Sequence, residues 1–173
     1  TTPGLYAQYT YKLGDKLTVM PGVRWDHSDR YGSFVTPRLH IKYSPSKIVT
    51  LRTSIGKGYR SPHALAENVT LLASGREIVI DPDLKQEEAW NMGASLGFNI
   101  PLFGKNLELN AEYYYTDFKH QMIMNFDGAK GEHTLSFENL DGKSYSHTFQ
   151  VDATYALFSG MTTTAAFRLN AVK

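Results

Sequence analysis

Apolar residues recur at every second position through most of this chain, in stretches of roughly 9–14 residues separated by polar or glycine-rich breaks. That period fits a β-strand with one greasy and one wet face, because successive side chains of a strand point to opposite sides. From Val49 to Tyr59 one set is Val49, Leu51, Thr53, Ile55, Lys57 and Tyr59, and the interleaved set is Thr50, Arg52, Ser54, Gly56 and Gly58. From Glu87 the pattern resumes, with Trp90, Met92, Ala94, Leu96, Phe98 and Ile100 against Asn91, Gly93, Ser95, Gly97 and Asn99. No uninterrupted apolar run approaches the roughly 18 residues of a membrane-spanning helix. A membrane, if crossed at all, is crossed by strands.

Eight such stretches are predicted: Leu5–Leu13, Leu17–Asp29, Val35–Tyr43, Val49–Tyr59, Glu87–Ile100, Leu107–Phe126, Ser144–Leu157 and Met161–Val172. Pro21 and Gly22 inside the second predict a bulge or bend. The strands are longer than the usual 5–6 residues of soluble sheets. Gly14–Lys16, Ser44–Lys47, Pro101–Asn106 and Phe158–Gly160 are short connections, and Ser28–Ser33, Ser61–Lys85 and Asp127–Lys143 are the alternate, longer ones. In an up-and-down meander every second connection lies at the same end, so one rim carries tight turns and the other carries loops. The largest loop begins where Pro62 removes a ladder donor. His63–Ser74 can form a short helix, Gly75–Ile80 a brief extended piece, and Asp81-Pro82-Asp83 breaks the chain again. The polar stretch Asp127–Gly142, with GAKG and NLDG, has room for a small hairpin. The expected fold class is therefore all-β, an antiparallel up-and-down meander of about eight long strands with a long loop carrying a short helix.

The polar face holds Arg24, Asp26, Arg38, His40, Lys42, Arg52, Glu108, Glu112, Asp152 and Arg168, while the apolar face is nearly free of charge and carries Trp25, Tyr43, Tyr59, Trp90, Tyr113 and Tyr115 towards strand ends. Amphipathic rings prefer the headgroup level of a bilayer, so lipid on the apolar side and water in a lumen on the other is one reading. A soluble β-sandwich or small barrel, acting as a ligand- or carbohydrate-binding module, alternates in the same way and stands beside it.

Charge and chemistry narrow the function. Across 173 residues, 18 Lys+Arg balance 17 Asp+Glu, and this offers nothing to follow a phosphate backbone, so no nucleic-acid partner is expected. With no cysteine, thiolate metal sites and disulfides are absent. The histidines at 27, 40, 63, 120, 133 and 147 have no zinc-site spacing, although His27 with Asp29 could touch a cation. Ser146 and His147 fall on opposite faces of one strand, which prevents a nucleophile–base pair, and Glu87 and Glu88 meet the same objection. Neither an enzyme nor a cofactor is expected. The large loop offers Arg60, His63, Asn68 and Arg76 as ligand-facing candidates, able to donate hydrogen bonds to a polar or anionic ligand.

Several ordered motifs also resemble one family. Gly22-Val23-Arg24-Trp25-Asp26, Thr36-Pro37-Arg38, Gly56-Lys57-Gly58-Tyr59-Arg60-Ser61-Pro62 and Leu84-Lys85-Gln86-Glu87 are similar to the barrel motifs of TonB-dependent outer-membrane receptors, with Gln86 where that family often has proline. The resemblance implies that residues 1–173 are an internal segment of a transmembrane β-barrel of roughly 22 strands, without plug, signal peptide or C-terminal barrel strand. It implies the outer membrane of a Gram-negative bacterium and import of an iron chelate, cobalamin or a glycan. The implied partners are outer-membrane lipid, that small-molecule or glycan substrate, and a TonB-type energy-transducing complex acting through the plug. A segment alone is not expected to transport.

Overall fold

The computed structural model describes residues 2–126 and 133–173. Its main sheet is built from β1 (Gly4–Gln8), β2 (Tyr11–Leu13), β3 (Leu17–Ser28), β4 (Gly32–Tyr43), β5 (Val49–Arg60), β7 (Glu87–Leu102), β8 (Lys105–Lys119), β11 (Ser144–Phe158) and β12 (Met161–Val172). The large loop contributes α1 (Ala64–Glu67), a 3-10 turn at Val69–Ser74 and β6 (Glu77–Ile80), and the second loop contributes β9 (Met122–Phe126) and β10 (Thr134–Asn139). Strand order is β1-β3-β4-β5-β7-β8-β11-β12 with β2 also on β3, so chain order is spatial order wherever the rim does not intervene. Every pairing in this sheet is antiparallel. Because β1 and β2 pair with β3 in a single register, they act as one strand, and the wall has the eight ribbons expected.

Register settles which side chains share a face. Leu17, Tyr43, Leu51, Leu96, Ala111, Val151 and Phe167 stand opposite one another in sequence across the wall. The next row is Val19, Ile41, Thr53, Ala94, Tyr113, Phe149 and Leu169. Between them runs the wet row Thr18, Lys42, Arg52, Ser95, Glu112, Gln150 and Arg168. Along β7 the apolar face extends from Met92 to Leu102. At about 3.3 Å per residue and a tilt near 40°, that is an apolar band about 25 Å tall, the height of an outer-membrane barrel's lipid belt. Above it the outward row changes to Lys57, Trp90, Asp117 and Tyr145, residues of a wet interface.

Among the described residues, no second sheet covers the apolar face. Val23, Leu51, Ile55, Leu96, Phe149, Val151 and Phe167 are exposed, and the polar face is the concave one. This single curved layer is not a sandwich, and its edge strands β1 and β12 are not neighbours, so it is not a small closed barrel either.

Prolines act differently from the expected bulge. The β3–β4 register runs unbroken from Leu17↔Tyr43 to Ser28↔Gly32. Tyr9 N–H donates to Pro21 O at 3.0 Å, so the backbone of Pro21 faces β1 and β2 and its missing donor interrupts only that ladder, at Tyr9-Thr10. By the same alternation Pro37 faces β5, and the β4–β5 ladder stops at Arg38↔Gly56, one residue short of it. Above that point the two strands part. Phe34, Lys57 and Tyr59 fill the gap, lining hollows on both sides of the sheet, with the Phe34 and Tyr59 rings 4.9 Å apart.

Three connections also differ from expectation. Ser28–Ser33 is a tight turn, with Gly32 at φ 73° and Ser28 Oγ accepting from the Arg30 and Tyr31 amides. The stretch Leu107–Phe126 is two strands, divided at His120, whose φ of 54° turns the chain off the wall. Between β7 and β8 the turn shrinks to Phe103-Gly104, both at positive φ as a two-residue hairpin of the type I′ kind requires. The hairpin expected within Asp127–Gly142 is formed by β9 and β10, beginning earlier in the chain, while GAKG lies outside the described residues.

Candidate functional site

The two long loops, separate in sequence, form one rim unit. β6 pairs parallel with β10 and β10 antiparallel with β9, so each loop supplies part of a three-stranded sheet. Beneath it lies the buried hydrophobic cluster of the described residues: Ala64, Leu135 and Phe137, with Leu71, Ile78, Ile80 and Met122 packed against them. A lipid-facing wall needs no such core, and the rim, surrounded by water, does.

Polar side chains lock the unit to the wall. Glu87, the first residue of β7, is paired in register with Arg60, the last of β5. Its Oε2 lies 3.4 Å from Arg60 Nη1, and its Oε1 accepts the Met122 N–H at 2.7 Å. Arg60 Nη2 is also ion-paired with Glu67, whose Oε1 accepts the His63 N–H at 3.1 Å and so satisfies an orphan donor at the start of α1. Asn68 Nδ2 donates to Ala64 O at 2.9 Å. Asn139 bridges the loops, accepting the Lys85 N–H at 2.7 Å through Oδ1 and donating through Nδ2 to His120 O at 2.6 Å. Sequence reasoning missed Asn139 and Glu67: Asn139 acts on Lys85 across a chain separation that only the fold closes, and Glu67, though close in sequence to His63 and Arg60, sits in no motif.

The four ligand-facing candidates therefore divide. Arg60, His63 and Asn68 are brought together around Glu67, with Arg60 neutralised by two carboxylates. Arg76 is apart from them, its guanidinium carbon 5.5 Å from the Phe126 ring centroid. The rim also exposes Leu65, Val69, Leu72, Met124 and Phe126, apolar surface with the Arg76 cation at Phe126. Such a surface suits an amphipathic ligand held by noncovalent contacts. Elsewhere, His27 Nδ1 lies 3.0 Å from Ser33 Oγ, and His147 Nδ1 is 2.7 Å from Tyr113 Oη on the outward face while Asp152 accepts from Asn110 on the other. Ser146 and His147, neighbours on one strand, do not pair with each other.

On the lumenal face Arg24 clasps Asp26, Nε to Oδ2 at 2.8 Å and Nη2 to Oδ1 at 2.7 Å. Asp26 is buried against Gly4, where any side chain would strike its carboxylate: a Cβ there would lie 2.1 Å from Oδ1. The Gly-x-Arg-x-Asp motif thus builds a fork on one strand, since positions two apart share a face.

Residues 1–172 match the family model described as TonB dependent receptor-like, beta-barrel. The chain belongs to that family. The iron-regulated outer membrane virulence protein of Vibrio cholerae is 25% identical over 114 residues, covering 65% of this chain and 17% of that protein. The ferric enterobactin receptor of Pseudomonas aeruginosa is 31% identical over 72 residues, 42% of this chain and 10% of that protein. Among solved structures, the FrpB iron transporter from Neisseria meningitidis superposes with a TM-score of 0.76 at 19% identity, over 99% of this chain and 26% of that one. The chain thus spans under a fifth of the length of these curated relatives. As a TonB-dependent receptor barrel it is an outer-membrane protein of the Gram-negative kind and not an enzyme, with its apolar rows against lipid.

Proposed function

We propose that residues 1–173 form part of the wall and outer rim of a receptor that captures a ferric siderophore and admits it through the outer membrane, on energy passed from the inner membrane by a TonB-type complex. The observation that carries this is the wall itself: one register aligns a lipid belt outside and a charged lumen inside, in a chain whose relatives include proteins named for ferric enterobactin. The rim is the capture surface. Arg76 over Phe126 meets the ligand directly, His63 stands exposed at the start of α1, and Arg60 and Asn68 hold the loop in place. The plug that couples the wall to the energy source, and the remaining strands, belong to the rest of the receptor.

The test is uptake of radioactive iron by a Gram-negative host lacking its own siderophore receptors and expressing the complete receptor. Ferric enterobactin should be taken up, and inactivating the TonB-type complex should abolish uptake without abolishing binding. Uptake no greater than in the receptorless host, across catecholate, hydroxamate and carboxylate chelates, overturns the proposal.

A further inference from the structure

Where Pro37 ends the β4–β5 ladder, the wall has a crevice on its outer side. One side of it is Val35 and Pro37, the other is Lys57, Tyr59 and Trp90, and the stretch Pro82–Gln86 of the large loop lies above. By alternation these wall residues all belong to the lipid-facing set. Lys57 and Trp90 are opposed one outward row above Ile55 and Met92, where the apolar band ends. The crevice therefore opens at headgroup level, at the long-loop end of the wall, between strands that both belong to this chain. Its volume is about 800 Å³, within the range of about 300–1,000 Å³ that takes a drug-sized ligand or a head group.

Several polar groups here are not spent on the chain itself. The hydroxyl of Tyr31, a residue lining the crevice, is buried and has no hydrogen-bond partner among the described residues. A buried donor without an acceptor carries the full cost of its desolvation, so native folds keep few of them. Arg30 stands beside it, its guanidinium carbon 5.3 Å from the Tyr31 ring centroid. Neither Arg30 nor Lys85, which also lines the crevice, has an ion-pair partner among the described residues. Lys57 is committed, its Nζ 2.8 Å from Glu88 Oε2 and 4.5 Å from the Tyr59 ring centroid. Gln86 gives its Nε2 to Ser61 Oγ at 2.9 Å, which leaves its Oε1 to accept, and Asp83 adds a carboxylate to the lining.

One kind of molecule uses all of these groups at this height. Aromatic faces such as those of Tyr59 and Trp90 pack on the C–H face of a sugar ring, while the Asp83 carboxylate and the Gln86 carbonyl accept from its hydroxyls. A phosphate takes the Tyr31 O–H and the cations of Arg30 and Lys85, and acyl chains run down Val35 and Pro37 onto the belt. We infer that the crevice seats a phosphorylated, acylated glycolipid of the outer leaflet, with the chemistry of the lipid A part of lipopolysaccharide. A soluble sugar phosphate has no use for the apolar strip beneath, and a phospholipid has none for the carboxylate and amide above. The inference rests on the lipid-facing assignment of the wall and does not depend on import.

The probe is bis-phosphorylated, hexa-acylated lipid A, added to the complete receptor stripped of lipid in detergent. Acetylation of Lys85 by acetic anhydride, read by mass spectrometry, is the measure. At about nine times the lipid A Kd the rate at Lys85 should fall about tenfold, because the unoccupied fraction falls as 1/(1 + [L]/Kd). Lys105, at the opposite end of the wall, should keep its rate. Tyr31→Phe deletes the orphaned hydroxyl alone and should weaken lipid A binding about tenfold, the worth of one charge-assisted hydrogen bond. In lipid-free receptor the same change should leave the urea midpoint where it is or raise it, since it removes an unserved donor. A lowered midpoint there would mean that the hydroxyl already has a partner in the protein, and overturns the inference. So does a Lys85 rate that lipid A leaves unchanged, or protection by phosphatidylglycerol or by the deacylated phosphodisaccharide equal to that by lipid A. Failed uptake of every chelate strikes the import reading and leaves these results standing.

Discussion

Tyr114 of β8 lies across Gly93 of β7 on the lumenal face, so closely that a Cβ on Gly93 would sit 2.4 Å from Tyr114 Cε1. The glycine gives the ring a seat against the sheet, and the ring shields backbone that the glycine leaves bare. Gly93→Ala should displace the ring and destabilise the wall by about 1–3 kcal/mol, the usual cost of overpacking. Urea unfolding of the receptor in lipid vesicles measures it, and Tyr114→Ala in the same background should recover most of the loss.

Pro37 ends the β4–β5 ladder for want of one N–H. Pro37→Val supplies that donor towards Lys57 and suits a strand, so pairing should extend upward and displace Phe34 and Tyr59 from the gap. Amide hydrogen exchange at residues 57–60 should slow in the variant. Unchanged exchange would mean that the rings, and not the missing donor, hold the strands apart.

Glu87 serves the Arg60 guanidinium and the Met122 amide at once. Glu87→Ala should cost about 1–3 kcal/mol locally by orphaning both partners, and the loss should appear as faster exchange and proteolysis at Met122–Phe126 with the barrel strands unaffected.

Phe137→Ala should empty the middle of the rim cluster. Truncating a fully buried phenylalanine costs about 3–5 kcal/mol, which a small three-stranded sheet cannot absorb. Chelate binding should be lost while the denaturant midpoint of the wall is kept, because the two units share no apolar core.

The inside-out assignment predicts unequal effects of one substitution. Leu96→Arg places a charge in the lipid belt and should destabilise by about 2–4 kcal/mol in vesicles, whereas Thr148→Arg on the lumenal face should change stability by about 0.5 kcal/mol or less. Equal penalties at both positions would remove the basis for placing lipid on the Leu96 side.

What the sequence determined by itself was everything carried by period and local chemistry. Alternation such as Trp90, Met92, Ala94, Leu96 and Phe98 against Asn91, Gly93, Ser95 and Gly97 defines strand and face without reference to any partner, and glycine–turn pairs mark the ends. The eight ribbons, their antiparallel order and the family motifs were legible for that reason. What only the tertiary structure decided was whatever depends on which strand lies beside which. The rim sheet joins Ile78 to Leu135 across two loops and buries Phe137, which alternation had left in a polar loop; Asn139 acquires its role through Lys85, far away in the chain. The effect of a proline likewise depends on the direction its absent donor faces, so Pro21 leaves β4 undisturbed while Pro37 parts β4 from β5. Lys42 and Arg52 read as two ordinary lumenal cations until register set them face to face. Hydrogen-bond direction and cross-strand opposition are pair properties, and a single strand's sequence does not encode its neighbour.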